Sequence, residues 1–274
     1  MEPGSRTVKL LQFLEDVYGR YNRRDHLDTD PVCFVHDYAD PVDREVTALV
    51  AACLAYGRIA QIMISVRVML ERLGTRPGRF VLEAGGDEIN KACRGFRHRF
   101  TTGEMMAGLL RHVQKVLKQH GSMRECFLIQ SRRAAEAAEG QTEPTILSVL
   151  TGFVGELSGS DDGLPHLLPS PTRGSACKRL CLFLRWMVRC DEVDPGGWDG
   201  VDRARLIVPL DVHMGRVCRA LGLTDRTQAN MRTALDITSS FRALCPSDPL
   251  KYDFSLTHMS MEEGPRAFEG IRNT

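Results

Sequence analysis

The sequence predicts an all-α fold. Apolar residues recur at helical spacing along nearly the whole chain, and the periodic stretches are bounded by helix-end residues, with Pro or a capping side chain in front and Gly behind. No Asn-Gly or Asp-Gly pair joins two alternating apolar runs as a β-hairpin turn would, and no internal repeat is present. One domain is expected over residues 1–274.

Taken in order, Leu10, Leu11, Leu14, Val17, Tyr18 and Tyr21 form the stripe of a first helix. The stretch 40–56 opens with Asp40-Pro41, a cap followed by a proline at the first helical position, and runs to Gly57. "IAQIMISVRVMLERLG" ends in Gly74, as a helix C-terminus should. Further helices are expected near 78–85, 102–120, 122–132 and 144–157. A turn-rich connector, 157–174, leads into "ACKRLCLFLRWMVR" at 176–189. After the loop "DPGGWDG", helices are expected near 210–221, 227–244 and 248–258.

With 274 residues, 43% hydrophobic and 26% charged, the chain has enough apolar content for a packed core and does not read as disordered. A net charge of +1 leaves any polyanion binding to local patches. Four are candidates: Arg20 with Arg23 and Arg24, "RGFRHRF" at 94–100, Arg132 with Arg133, and Arg173 with Arg179. Each also reads as ordinary solvated surface. The nine cysteines are odd in number and scattered through apolar patterns, which suggests free thiols in a reducing compartment. No signal-peptide core and no membrane-length apolar run is found, so a cytoplasmic protein without a membrane partner is expected.

Lys178 and Arg185 stand seven residues apart, two helical turns, in a mostly apolar run. With Ser175 as N-cap, Lys178 falls at the third helical position, where the helix dipole favours its neutral form. A neutral amine is what Schiff-base chemistry needs. The plainer reading is a lysine whose stem packs at a helix edge. In "VPLDVHMGRVCRALGL", Asp211 follows Pro209 at a helix start; it reads as an N-cap and also as a persistent anion. An anion beside a neutral amine suits substitution at a cationic carbon. The doublet His36-Asp37 suggests an alternative, a metal-dependent phosphohydrolase of the His-Asp type, which needs further ligands from neighbouring helices.

Three segments, "CLAYGRIAQI" at 53–62, "GSACKRLCLFLRWM" and "PLDVHMGRVCRALGL", resemble in order those of the helix-hairpin-helix base-excision DNA glycosylases. The spacing of 33 positions between Lys178 and Asp211, together with "KYDFSL", is most similar to the archaeal-type 8-oxoguanine glycosylase branch. The resemblance implies a two-lobed helical fold, with one lobe over about 40–190 and the other over about 1–39 plus 205–274. It implies excision of 8-oxoguanine from double-stranded DNA by a monomer at the nucleoid, with no cofactor or metal, and strand cleavage by β-elimination. Lys178 would be the nucleophile and Asp211 the catalytic carboxylate. Arg185, Asp253, Trp186 and His213 would hold the base, Tyr56 would fill the gap it leaves, and Arg58, Arg173, Gly174 and Ser175 would contact DNA. Two departures stand out: "TRGSACK" keeps only Gly174 of the usual glycine pair in the hairpin, and Arg185 stands where a lysine is usual. Cys245 is the only cysteine after Cys218, so no iron–sulfur cluster is expected. A helical DNA-binding module without catalysis is the remaining alternative.

Overall fold

The structure, a computed structural model, describes residues 5–138, 146–159, 164 and 166–268. The first two residues of the helix expected at 144–157, and most of 160–165 in the connector, lie outside them.

The described residues are largely helical. Helix α1 (Ser5–Tyr21) buries Leu14, Val17 and Tyr21 from the predicted stripe. A 3-10 turn (Arg24–Thr29) and the short α2 (Cys33–His36) lead to α3 (Pro41–Leu54), whose N-cap Asp40 accepts the amides of Val42 and Asp43. There follow α4 (Ile59–Leu73), α5 (Pro77–Glu83), α6 (Gly86–Cys93), a two-stranded hairpin of β1 (Arg97–His98) and β2 (Thr101–Thr102), α7 (Gly103–His120), α8 (Met123–Ala137) and α9 (Ile146–Ser158). Beyond a 3-10 turn (Pro171–Arg173) come α10 (Lys178–Val188), α11 (Val212–Ala220), α12 (Met231–Leu244) and α13 (Asp253–Glu262).

Helix α3 is buried around its circumference and lies at the centre, against α2, α4, α5 and α10. It approaches α5 so closely that a Cβ on Gly78 would fall 2.6 Å from the carbonyl carbon of Val42, so only glycine fits there. Two buried carboxylates on α3 hold neighbouring helices by their N-termini. Asp43 accepts the amides of Gly78 (2.8 Å) and Arg79 (3.2 Å) on α5 and pairs with Arg76. Glu45 accepts the amides of Met123 (2.8 Å) and Arg124 (2.9 Å) on α8, and the indole N–H of Trp198 (2.8 Å). Burial pushes the Glu45 carboxyl up to about 7 against the pull of those donors. The apolar centre beside it is aromatic: Phe127, Phe153, Phe183 and Trp198 meet mostly edge to face, with centroids 5.2–6.4 Å apart. Elsewhere α13 packs on α1 and α11, tied to α1 by Tyr21 to Glu263 (2.9 Å) and next to it by Lys251 to Glu15 (2.7 Å).

Three features depart from expectation. The β1–β2 hairpin was not foreseen because its two-residue turn, Arg99-Phe100, contains neither glycine nor asparagine; Arg99 instead takes a left-handed conformation, φ 51°. Ser175 does not cap α10. That helix starts at Lys178 behind Cys177, itself left-handed at φ 48°, and the Ser175 hydroxyl accepts the Cys177 amide (3.2 Å). Lys178 is thus the first helical residue rather than the third. Finally, what stands directly before α10 is the 3-10 turn Pro171–Arg173, not the first helix of a hairpin.

Candidate active site

Helices α10, α11 and α13 converge with the start of α4 and the loop before α2 on a cavity of about 270 Å³. Its walls include Lys178, Arg185, Asp211, His213, Asp253 and Phe254. Lys178 and Arg185 project from one face of α10, two turns apart, so one stands at the mouth and the other in the interior, at 34% and 3% side-chain exposure.

Asp211 uses its two oxygens differently. Oδ1 accepts the Met214 amide (2.9 Å) and caps α11, as the sequence leads one to expect. Oδ2 lies 2.8 Å from the Lys178 ammonium. Burial pushes the Asp211 carboxyl up, but Lys178, the Met214 amide and His213 together hold it below the usual carboxylate range. The anion is therefore fixed in place and in charge, one hydrogen bond from an amine, at the rim of a cavity.

Deeper in, Arg185 donates to Asp194 (3.1 Å) and Asp253 (2.5 Å), and Arg189 to Asp194, Asp191 (2.8 Å) and Asp248 (3.0 Å). Two guanidinium groups thus face four carboxylates. The imbalance favours keeping a proton on one of the acids: burial pushes the Asp253 and Asp194 carboxyls up, and the arginines pull them back only in part. After these bonds, Nη2 of Arg185 has no partner, although Arg185 lines the cavity. A buried, unpaired N–H group costs about 1–3 kcal/mol. The Phe254 ring centre lies 5.7 Å from the same guanidinium.

Sequence reasoning missed Asp30, which lines the cavity from the loop before α2. Burial pushes its carboxyl up, but His258, 3.9 Å away, with Arg185 and the Val32 amide, holds it low. Its only signal was Asp30-Pro31, a dipeptide that reads as a helix cap.

Other expected site residues lie elsewhere. Trp186 is fully buried (0% exposed) and forms no part of the cavity wall, so it cannot reach a ligand without opening the core. Tyr56 is not free to stack on a base: its hydroxyl bonds the His98 carbonyl (2.8 Å) and Thr101 hydroxyl (2.8 Å), and its ring packs on His98 and His166 and under the Arg179 guanidinium. Arg58, Arg173 and Gly174 are exposed and Ser175 is partly so. The amides of Arg173 and Gly174 are already bonded to the carbonyls of Ser170 (3.1 Å) and Pro171 (3.0 Å), so neither is free to hold a phosphate. Of the basic patches, Arg179 is turned inward onto the carbonyls of Cys53 and His166, Arg20 pairs with Glu263, and Arg133 with Glu156. His36 bonds the Val193 carbonyl (2.7 Å), and among the described residues no group of three or more His, Cys, Asp or Glu side chains could hold a metal ion. Among the described residues, the ligand set that the phosphohydrolase alternative needs is not found.

Residues 30–262 match a family described as a protein of unknown function (DUF2400). The chain belongs to that family. No curated protein and no solved structure matches it. This corrects the resemblance to the helix-hairpin-helix glycosylases. The segments that carried it are short and made of generic helix-end chemistry: a proline and an aspartate before α11, and a lysine at the start of α10. Among the described residues, no helix is long and apolar enough to cross a membrane.

Proposed function

We propose that this protein is a DNA N-glycosylase that removes an oxidised purine, 8-oxoguanine, through a Schiff base on Lys178, with strand cleavage by β-elimination. The observation that carries the reading is the Lys178–Asp211 pair, 2.8 Å apart at the rim of a cavity whose walls include Arg185 and Asp253. A cavity of about 270 Å³ has room for one planar base. The target nucleotide must leave the duplex to enter it.

In the first step Lys178 gives one proton to solvent and its lone pair attacks C1′ of the sugar. The N-glycosidic bond breaks, its electron pair leaves on the base nitrogen, and that nitrogen takes up a proton. Asp211, held ionised, offsets the positive charge that develops on the sugar. Ring opening gives the Schiff base; loss of the C2′ proton then expels the 3′ phosphate, and water releases the lysine. In the pocket, Arg185 Nη2 donates to a purine carbonyl while Asp253 or Asp30 accepts an adjacent ring N–H. Double-stranded DNA is the partner and a monomer the acting form.

The test is a panel of duplexes, each with one damaged base, incubated with the protein and with borohydride. Base release from the 8-oxoguanine duplex and a covalent protein–DNA adduct that disappears in Lys178→Gln are expected. Duplex binding with no base release from any substrate would leave a non-catalytic DNA-binding module.

A further inference from the structure

Four carboxylates share the guanidinium groups of Arg185 and Arg189, and three of the four have a donor on every oxygen. Asp194 takes Arg185 on Oδ1 (3.1 Å) and Arg189 on Oδ2. Both oxygens of Asp248 take Nε of Arg189 (3.0 and 3.1 Å). Asp191 takes the amides of Val193 and Asp194 on Oδ1 (2.9 Å each) and Arg189 on Oδ2 (2.8 Å). A proton on any of these oxygens would point at an N–H group and displace its bond. Asp253 is different. Its Oδ2 takes Arg185 (2.5 Å), but no donor among the described residues meets Oδ1, and Asp253 lines the cavity. The proton that the surplus of acids calls for therefore has one place where it meets no opposing donor.

The groups around Asp253 push the same way. Arg185 is shared with Asp194, and Lys178 is matched by Asp211. Asp30 adds a further anion from the loop before α2, and the histidines nearby, His258 and His213, help to hold Asp30 and Asp211 low rather than Asp253. The thiols that approach from α10 and α11, Cys181 and Cys218, are pushed up by burial and stay neutral. Asp253 opens α13, where the helix dipole favours an anion, but among the described residues no backbone amide bonds its carboxyl. Burial pushes that carboxyl up, Arg185 pulls it back in part, and Asp211 adds to the rise.

We propose that Asp253 is held as a neutral carboxylic acid at neutral pH, with its proton on Oδ1 towards the cavity, and that it gives this proton to the nitrogen of the departing base. The destination of the proton rests on the proposed function; its place on Asp253 does not. As the N-glycosidic bond breaks, its electron pair stays on the base nitrogen and takes up the Oδ1 proton. Asp253 is left as a carboxylate beside Arg185 and regains a proton from water before the next turnover. Acceptance of a ring N–H then falls to Asp30, the ionised acid of the cavity wall.

The test sets the intact protein beside Asp253→Asn, whose amide keeps an acceptor for Arg185 and a donor for the cavity but has no proton to give. Infrared spectra at neutral pH should show a protonated carboxylic acid in the parent that is missing from Asp253→Asn; the contribution of Glu45, pushed up to about 7, stays in both. An acid whose pKa rises on folding contributes stability that is present below its unfolded value, about 3.9, and lost as the pH rises through the folded one. In denaturant unfolding the parent should therefore lose stability relative to Asp253→Asn as the pH is raised from acid to alkaline. Base release from the 8-oxoguanine duplex should be roughly 100-fold slower in Asp253→Asn, and the decline of the parent's rate at alkaline pH should be absent from the variant. Identical carboxylic acid bands in the two proteins, or a parent that gains stability on the variant as the pH rises, overturn the proposal even if base release is found. Base release by Asp253→Asn at the parent's rate overturns the proton transfer. A parent that releases no base, yet has a band that Asp253→Asn removes, overturns the proposed function and supports the neutral acid.

Discussion

Helix α10 carries two cations on one face, two turns apart, that do opposite things. Lys178 is about one-third exposed and meets a single carboxylate; Arg185 is 3% exposed and belongs to a web with Arg189, Asp191, Asp194, Asp248 and Asp253. An ion pair open to water holds its partners loosely, typically worth 0–1 kcal/mol, so it can part when a reaction needs the amine. A buried web cannot part. Removing one member leaves an uncompensated charge at a cost of about 3–5 kcal/mol. On the proposed function, reagent and scaffold are therefore distinguished by burial rather than by residue type.

The contrast breaks most visibly in stability. Arg189→Met should destabilise the protein by about 3–5 kcal/mol in denaturant unfolding, because Asp191 and Asp248 lose their arginine while Asp194 keeps only Arg185, and adding Asp248→Asn should restore part of the loss. Lys178→Gln should change stability by less than about 1 kcal/mol in the same measurement. A loss as large as that of Arg189→Met would make the rim pair a structural element.

Asp211→Asn sharpens the comparison from the side of chemistry. Asparagine caps a helix about as well as aspartate, so the fold should hold. Base release from the 8-oxoguanine duplex should fall by about 100-fold or more, since an amide carries no charge to set against the developing cation. Unfolding of the variant would mean that the cap matters more than the charge.

The smallest effect concerns acid. A carboxylate whose pKa is depressed on folding contributes stability that is present above its unfolded value, about 3.9, and lost as the pH falls through the depressed one. Lys178 is the main group that lowers the Asp211 pKa. In acid titrations of stability, Lys178→Gln should therefore begin to lose stability at a higher pH than the parent; coincident curves would show that the ion pair does not tune the carboxyl.

What the sequence made legible follows the range of the interactions. Helical periodicity and capping are local, so the helices, the Asp211 cap and the shared face of Lys178 and Arg185 could all be read. Whether Lys178 would meet Asp211 depended on how α10 and α11 pack, and the structure brings them within hydrogen-bonding distance. Trp186 was misplaced because a motif gives spacing, not the side of a helix that the core takes. Tyr56 was misassigned because its partners, His98, Thr101 and His166, lie 42 to 110 residues away. Asp30 was missed for the same reason: its place in the cavity wall is set by distant contacts, His258 and Arg185 among them.

The carboxylates of Asp43 and Glu45 also shape how the molecule opens. Because α3 provides the acceptors for the first amides of both α5 and α8, those helix ends lack their protein partners until α3 has docked, and lose them when it leaves. Fraying of α3 therefore cannot remain local. Three stretches far apart in sequence are bound into one cooperative unit, and their amides should exchange with solvent through a shared opening rather than in three separate events.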